Sequence, residues 1–118
     1  MQTNNIYIEQ LKESLGELNP YLVLLFGSYA YGTPHEDSDL DIFVVLNDKS
    51  MPTTFKEKQA LYLKVSTQIR PIARKIAIDL MVFTIPMYER FKTTNSSFSR
   101  EILNKGILIY EGNHATMA

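Results

Sequence analysis

The sequence contains no cysteine, has five glycines and five prolines among 118 residues, and carries a formal net charge of only −1. Without cysteine, the chain has no disulfide, no thiolate metal site and no cysteine nucleophile. The small net charge supplies no global basic field, so we expect no binding of extended nucleic acid. The longest apolar run, residues 21–26, is too short to span a membrane, and the N-terminal residues lack the features of a secretory signal. We therefore expect a soluble, cytoplasmic protein.

The length and the spacing of apolar residues predict one small domain. A chain of 118 residues suits a single core, so we expect one domain over residues 1–112 and a flexible tail at 113–118. Segments with helical spacing alternate with β-rich apolar runs. The predicted helices are 5–18, 53–70, 86–94 and 97–104, and the predicted strands are 21–26, 39–46, 76–83 and 107–110. The continuous apolar run 21–26 predicts a strand buried on both faces. Pro71 should end or kink the second helix, and Ser96 or Ser97 should cap the last one. The second helix carries an apolar stripe of Leu61, Val65, Ile69 and Ile72. The alternation predicts an α/β or α+β fold with helices packed on a small sheet, and leaves the strand order open.

Acidic residues occur in two of the predicted strands. Asp39 and Asp41 open the second strand, and Asp79 lies within the third. An unpaired carboxylate is costly to bury, so acids in apolar strands need an explanation. Because side chains alternate between the faces of a strand, Asp39 and Asp41 project to the same face. Asp79 can join them if the third strand lies next to the second.

A metal site is the functional interpretation of these three acids. Carboxylates that converge repel one another unless a cation lies between them, and Mg²⁺ suits such oxygen ligands. Two-metal sites of this kind transfer phosphoryl groups. The alternative gives each acid a separate structural role: Asp39 caps a turn, Asp41 is solvated at a sheet edge, and Asp79 forms a surface salt bridge.

The pair Gly27-Ser28 directly follows the first predicted strand. A turn from a strand into a helix points backbone N–H groups outwards, and a helix N-terminus favours anions. Glycine lets a phosphate approach the backbone closely, and the Ser28 hydroxyl can donate a further hydrogen bond. The pair therefore indicates a phosphate site, with an ordinary turn and helix cap as the alternative.

The two motifs lie in one segment, GSYAYGTPHEDSDLDI, in which ten residues separate Gly27-Ser28 from the Asp39-x-Asp41 pair. This segment resembles the signature of the DNA polymerase β-like nucleotidyltransferase superfamily. The chain as a whole resembles the minimal nucleotidyltransferase group of that superfamily, and its ending SSFSREILNKGILIYE is similar to the family's C-terminal segment. The resemblance implies a mixed β-sheet flanked by helices.

The resemblance also implies a role for each residue of the two motifs. Gly27 and Ser28 would hold the triphosphate of ATP or another nucleotide, and Asp39 and Asp41 would bind Mg²⁺. Asp79 would be the third carboxylate, which either holds the catalytic metal or helps to deprotonate the attacking hydroxyl. The implied reaction is attack of an acceptor hydroxyl on the α-phosphorus of the nucleotide, with release of pyrophosphate. Metal neutralisation and alignment would supply most of the rate.

Partners follow from the same resemblance. Minimal members are commonly paired with a HEPN-domain ribonuclease, and act as its antitoxin by transferring AMP to a tyrosine. A domain of this size has little surface left to enclose both a nucleotide and an acceptor. The partner protein, or a second copy of the chain, could supply the missing wall of the site. Two alternatives stay open: transfer to a small molecule, as in aminoglycoside-modifying relatives, and a non-catalytic binding module with the same fold.

Two further features bear on these alternatives. Many relatives carry a basic residue where Tyr31 stands, so this chain lacks the positive charge that they have there. A basic cluster, Arg70, Arg74 and Lys75, leads into the strand that contains Asp79. The cluster either meets the triphosphate or an acidic partner, or is a solvated helix end that complements the helix dipole.

Overall fold

The computed structural model describes residues 6–27, 30 and 39–112, and within them it has five helices and four strands. The helices are α1 (Ile6–Gly16), α2 (Phe55–Gln68), α3 (Arg70–Ala73), α4 (Ile85–Thr94) and α5 (Ser97–Lys105). The strands are β1 (Leu22–Phe26), β2 (Leu40–Val45), β3 (Ile78–Phe83) and β4 (Ile107–Glu111). Every predicted element is present, with bounds within two residues of the prediction. None of these five helices has the length and apolar character that a membrane crossing requires.

Polar side chains fix where the helices begin. Thr54 precedes α2, and its hydroxyl accepts the N–H of Glu57 at 3.1 Å while the Glu57 carboxylate accepts the N–H of Thr54 at 3.2 Å. The hydroxyl of Ser96 accepts the N–H of Ser99 at 3.0 Å at the start of α5, which confirms Ser96 as the predicted cap. These bonds satisfy amide groups that have no partner inside the helix.

The break between α2 and α3 lies where the sequence predicted an end or a kink. Ile69 leaves the helical conformation, with φ −100° and ψ 7°, and Pro71 occupies the first turn of α3. Proline is tolerated there because the first amides of a helix have no intrahelical acceptor. Of the apolar stripe predicted for this region, Val65, Ile69 and Ile72 are buried.

The four strands form one mixed sheet in the order β3-β2-β1-β4. β2 is parallel to β3, whereas β1 is antiparallel to both of its neighbours. Helices flank this sheet, so the predicted fold class is confirmed. The strand order brings the two strands that contain aspartates next to each other.

Helices cover both faces of the sheet. The face towards α1, α2 and α3 is aliphatic: Val23, Leu25, Leu40, Ile42 and Val44 of the sheet pack in one cluster with Val65 of α2. The opposite face, towards α4 and α5, is rich in aromatic residues: Phe26, Phe43 and Phe83 of the sheet pack with Tyr88 and Phe91 of α4. All five residues of β1 are buried, as predicted for a strand enclosed on both faces. Since side chains alternate along a strand, Asp41 projects on the aromatic face, next to Phe43.

Candidate active site

Two neighbouring parallel strands bring Asp41 and Asp79 side by side. β2 and β3 pair so that Asp41 lies opposite Asp79. Residues opposite each other on adjacent strands project from the same face of the sheet, with backbones about 4.8 Å apart. Asp41 is half-buried and Asp79 is exposed, and each is the second residue of its strand. The sheet therefore presents two carboxyl groups at one end, accessible to solvent.

The surroundings of Asp41 favour its protonated form. Desolvation is the largest cause, followed by the charges of Asp79 and Asp39 and by a hydrogen bond with Asp79, and together they raise the pKa of Asp41 from 3.8 to about 6. Like charges at close range disfavour the ionised form of Asp41. No salt bridge among the described residues involves either Asp41 or Asp79. The site thus concentrates negative charge that a bound cation would neutralise.

Gly27 approaches the Asp41 side chain from the end of β1. Phe26, the last residue of β1, pairs with Asp41, and Gly27 follows with φ +74°. A Cβ atom built at Gly27 would lie 1.9 Å from Oδ2 of Asp41. The carboxylate therefore occupies the space that any other residue at position 27 would fill. The amide of Ala30 donates to the Gly27 carbonyl oxygen at 3.0 Å, so the chain turns immediately after β1.

The remaining predicted site residues differ in how they relate to this centre. Asp39 immediately precedes β2 and is exposed, and it acts on Asp41 through its charge. Ser28 and Tyr31 lie outside the described residues. The described centre consists of Asp41 and Asp79, with Asp39 beside them and the Gly27 backbone at the end of β1.

The carboxyl groups at this end of the sheet are candidate ligands for a divalent cation. Within the described ranges, no three His, Cys, Asp or Glu side chains are arranged to hold one ion. The chemistry of the pair nevertheless fits Mg²⁺, because Asp41 and Asp79 offer carboxylate oxygens in mutual contact. A cation between the two groups would offset the repulsion between their negative charges. Asp41 and Asp79 are the residues that would hold the ion, with Asp39 nearby.

An aromatic wall borders the acids on the α5 side. Phe26 is buried, and its ring lies edge-on to Phe98, with 6.2 Å between the ring centroids. Phe98 is 44% exposed, so part of its ring remains open to solvent. Because Phe26 pairs with Asp41, this apolar surface lies next to the carboxyl groups.

The basic cluster is exposed and has no ion pair among the residues described here. Arg70 belongs to α3, and Arg74 and Lys75 lie in the turn that leads towards β3. Arg70 lines a cavity with Ile78 and Leu80. These two residues project on the face of β3 opposite to Asp79, so the cavity lies across the edge of the sheet from the acids.

A known protein family matches this chain over most of its length. The family described as "Polymerase beta, Nucleotidyltransferase" matches residues 9–115, which is most of the chain. The chain belongs to this family. The prediction that the protein is a nucleotidyltransferase is thereby confirmed.

Individual relatives of this nucleotidyltransferase agree with the family match. A protein of Methanocaldococcus jannaschii named "Putative protein adenylyltransferase MJ0141" is 34% identical over 106 residues, which cover 85% of this chain and 95% of that protein. A chain of a toxin-antitoxin crystal structure with AMP-PNP has a TM-score of 0.53 and 20% identity, covering 97% of this chain and 78% of that one. A structure from Sulfolobus solfataricus described as "a putative nucleotidyltransferase" has a TM-score of 0.50 and 18% identity, covering 94% and 92%. The two solved structures share the fold.

The sequence did not reveal why position 27 needs glycine. The close approach of phosphate at Gly27 stays a prediction, and the structure shows in addition a close approach of Oδ2 of Asp41. A signal was present, because a glycine directly after a buried strand indicates that something approaches the backbone. The identity of that neighbour depends on the pairing of Phe26 with Asp41, which periodicity does not give.

Proposed function

We propose that this nucleotidyltransferase transfers AMP from ATP to a hydroxyl group of a partner protein, and that the partner is a HEPN-domain toxin. The 34% identity to a protein named as an adenylyltransferase supports protein as the acceptor. The shared fold with a chain of a toxin-antitoxin structure that contains AMP-PNP supports ATP as the nucleotide and a toxin as the partner. The cytoplasm, where ATP and Mg²⁺ are available, is the expected compartment.

The observation that carries the proposal is the pairing of Asp41 with Asp79 beside Gly27. Two carboxyl groups held by a rigid sheet offer fixed oxygens, so little reorganisation is needed when a metal-bound triphosphate arrives. Gly27 lies beside these acids and has no side chain, so a phosphate can approach its backbone closely. The acids thus lie where a nucleotide can align with an acceptor.

The chain's residues contribute to the reaction by position and charge. Asp41 and Asp79, with Asp39 beside them, would hold Mg²⁺, which neutralises the triphosphate and the leaving pyrophosphate. The acceptor oxygen forms a bond to the α-phosphorus, and the bond from that phosphorus to the bridging oxygen of pyrophosphate breaks. Asp79, the more exposed acid of the pair, accepts the proton of the attacking hydroxyl or orients that hydroxyl.

A partner protein also suits the size of the domain. The sheet has four strands, and among the described elements only α4 and α5 cover the face from which the acids project. Such a small domain has little surface left to enclose both a nucleotide and an acceptor. A second chain bound at the acid end would supply the missing wall and exclude water from the reaction.

The test is transfer of label from [α-³²P]ATP in the presence of Mg²⁺, with and without the purified product of the neighbouring gene. We expect label on the partner, and a loss of at least about 100-fold in rate for Asp41→Asn and for Asp79→Asn. Asp48→Asn is the matched control, because Asp48 lies beyond the opposite end of β2 and is expected to leave the rate unchanged. Label on neither chain, with an intact complex, would show a non-catalytic binding module. Label on small hydroxylated compounds without any partner would show the small-molecule alternative.

A further inference from the structure

A groove runs along the outer edge of β3, between this strand and α2, and the proposed chemistry does not use it. It consists of two cavities of about 180 Å³ and 410 Å³, and Tyr62 lines both. The smaller cavity lies beside Ile78 and Leu80, and the larger one beside Val82. Its other wall is formed by residues of α2 at helical spacing, among them Phe55, Lys58, Tyr62 and Ser66. The groove therefore extends along most of β3.

The backbone of β3 directs hydrogen-bonding groups away from β2 on this side. β3 is the outermost strand of the sheet, and none of the other described strands lies beyond it. Leu40 N–H donates to the Ala77 carbonyl at 2.9 Å, and Leu46 N–H donates to the Phe83 carbonyl at 2.7 Å. Because backbone groups alternate in direction along a parallel ladder, the odd-numbered residues of β3 bond to β2. The residues whose N–H and C=O groups point into the groove are Ile78, Leu80 and Val82.

The groove is also positively charged. Lys58 and Arg70 line it, both side chains are exposed, and no acidic side chain among the described residues lines either cavity. Neither of them forms a salt bridge within residues 6–27, 30 and 39–112. An occupant with carboxylates on the side towards α2 would match this charge.

We propose that this groove binds an extended, acidic segment of the acceptor protein as an added strand on β3. The inference rests on the proposed AMP transfer, and it adds how the acceptor is recognised and aligned. Alternating N–H and C=O groups at the spacing of a strand match another polypeptide backbone, which is the basis of strand addition to a sheet edge. Neither a nucleic acid nor a lipid offers that pattern.

The register of the added strand would align the acceptor hydroxyl. A residue that lies opposite Asp79 on the new strand projects from the same face of the sheet as Asp79. Its hydroxyl would therefore lie beside the acids. Its neighbours project to the other face, where Lys58 of α2 and Arg70 of α3 line the groove. The acceptor segment thus has a hydroxyl-bearing residue flanked by acidic residues, over about six residues along β3.

A peptide of alternating glutamate and tyrosine tests this inference directly. Titrated into the ¹⁵N-labelled full-length protein, it is expected to slow amide exchange at Leu80 and Val82 by at least about tenfold, because these N–H groups become hydrogen-bonded. The amides of Asp79 and Met81, which already bond to β2, serve as internal references. Absence of binding, or binding without protection of the even-numbered amides, would overturn the proposal.

Side-chain variants separate the groove from the acid site. Lys58→Glu combined with Arg70→Glu is expected to weaken binding of the acidic peptide by about tenfold or more, since like charges then face each other. A peptide of alternating lysine and tyrosine should show the reverse preference. Both substituted residues are exposed, so the fold should be retained, which circular dichroism checks. Unchanged affinity in the double variant would contradict the role of charge.

The absence of cysteine from the chain permits a steric test. Ser66→Cys introduces a thiol into the groove, and Thr67→Cys places one on the exposed side of the same helix. After coupling to a bulky maleimide, the first variant should lose peptide binding by at least about tenfold, while the second binds normally. Equal binding by the two coupled proteins would overturn the groove as the docking site.

The same samples distinguish failure of the docking inference from failure of the proposed function. If the coupled Ser66→Cys protein still transfers ³²P from ATP to the peptide, the proposed AMP transfer stands and the groove is not the docking site. Binding and amide protection without any transfer of label to peptide or partner would preserve the groove and reject AMP transfer. ATP binding, measured by equilibrium dialysis, should be equal in both coupled variants.

Discussion

Gly27 and Asp41 lie so close together that a Cβ atom at position 27 would be 1.9 Å from Oδ2 of Asp41. The positive φ of Gly27, +74°, adds a second reason why only glycine suits this position. The absence of a side chain at the end of β1 thus leaves room for the carboxylate of Asp41.

Gly27→Ala is therefore expected to displace the Asp41 carboxylate. Rotation of the side chain away from Asp79 would lower the rate of AMP transfer by about 100-fold, the usual effect of misplacing a reacting group by about 1 Å. The strained φ should also lower the free energy of unfolding by roughly 1–2 kcal/mol. Initial rates and urea unfolding measure the two effects.

Two variants control this prediction. Gly16→Ala changes a glycine at the end of α1, where the new Cβ would meet only the Tyr110 ring at 3.3 Å, so stability should change by less than about 1 kcal/mol. Adding Asp41→Ala to Gly27→Ala should reduce the cost of the glycine substitution, because the clash is gone. Additive effects of the two substitutions would show that the contact is unimportant.

The raised pKa of Asp41 predicts a pH dependence of stability in the metal-free protein. Its pKa of about 6 exceeds the unfolded value of 3.8, so the folded state holds a proton that the unfolded state has lost. The resulting stabilisation is complete below pH 4 and is lost as the pH rises to 6. A shift of this size corresponds to at most about 3 kcal/mol, and solvent screening of the half-exposed group reduces it to roughly 1 kcal/mol.

Urea unfolding in EDTA at several pH values tests this sign. The wild type should lose about 1 kcal/mol relative to Asp41→Asn between pH 4 and pH 6. For Asp48→Asn the difference in stability from the wild type should have the opposite pH dependence. Hydrogen bonds from Ser50 lower the pKa of Asp48, so its contribution to the stability of the wild type is lost as the pH falls. A difference between wild type and Asp41→Asn that does not change with pH would contradict the prediction.

Phe43 is expected to be the most costly aromatic residue to truncate. It is fully buried, and its ring lies 4.7 Å from that of Phe83 and 5.2 Å from that of Phe91. Phe43→Ala should lower the free energy of unfolding by about 3–5 kcal/mol, because it removes the contacts and leaves a cavity. Phe98→Ala, at a ring that is 44% exposed, should cost about half as much or less. Equal costs would show that α4 does not pack on the sheet as described.

Thr54→Ala should loosen the start of α2. The hydroxyl of Thr54 caps this helix through the amide of Glu57, and its loss should cost about 1 kcal/mol in thermal unfolding. Thr67→Ala, at an exposed position of the same helix, should change stability by no more than about 0.5 kcal/mol. Faster amide exchange confined to the first turn of α2 would locate the effect at the cap. A similar change of stability in both variants would argue against the cap.

Residue periodicity was sufficient for the elements but not for their arrangement. The predicted bounds lie within two residues of the observed ones because apolar spacing, Pro71 and Ser96 act locally. The pairing of Asp41 with Asp79 depends on which strands are neighbours, a choice that the whole core determines. The sequence therefore offered three acids as candidates, and left open whether Asp79 would meet the other two.

The family resemblance extended the prediction from the fold to the reaction. It did not predict the groove beside β3. Its residues, such as Tyr62 and Arg70, lie on different helices and become neighbours only when α2 and α3 pack against the sheet. Their backbone counterparts in β3 carry no sequence signal, because every residue has the same N–H and C=O groups. Only the sheet order shows that these groups face outwards.

One register between β2 and β3 determines both the pairing of the acids and the packing of the core. A one-residue deletion inside β3 would turn Asp79 inwards, among Leu25, Ile42 and Val65, and would expose Leu80 in its stead. Such a deletion would separate the two acids and disrupt the packing of the core at the same time. The active site and the stability of the fold therefore depend on the same strand register. Length changes in this lineage should accordingly be confined to connections such as residues 46–53, and a shortened β3 should be absent from functional relatives.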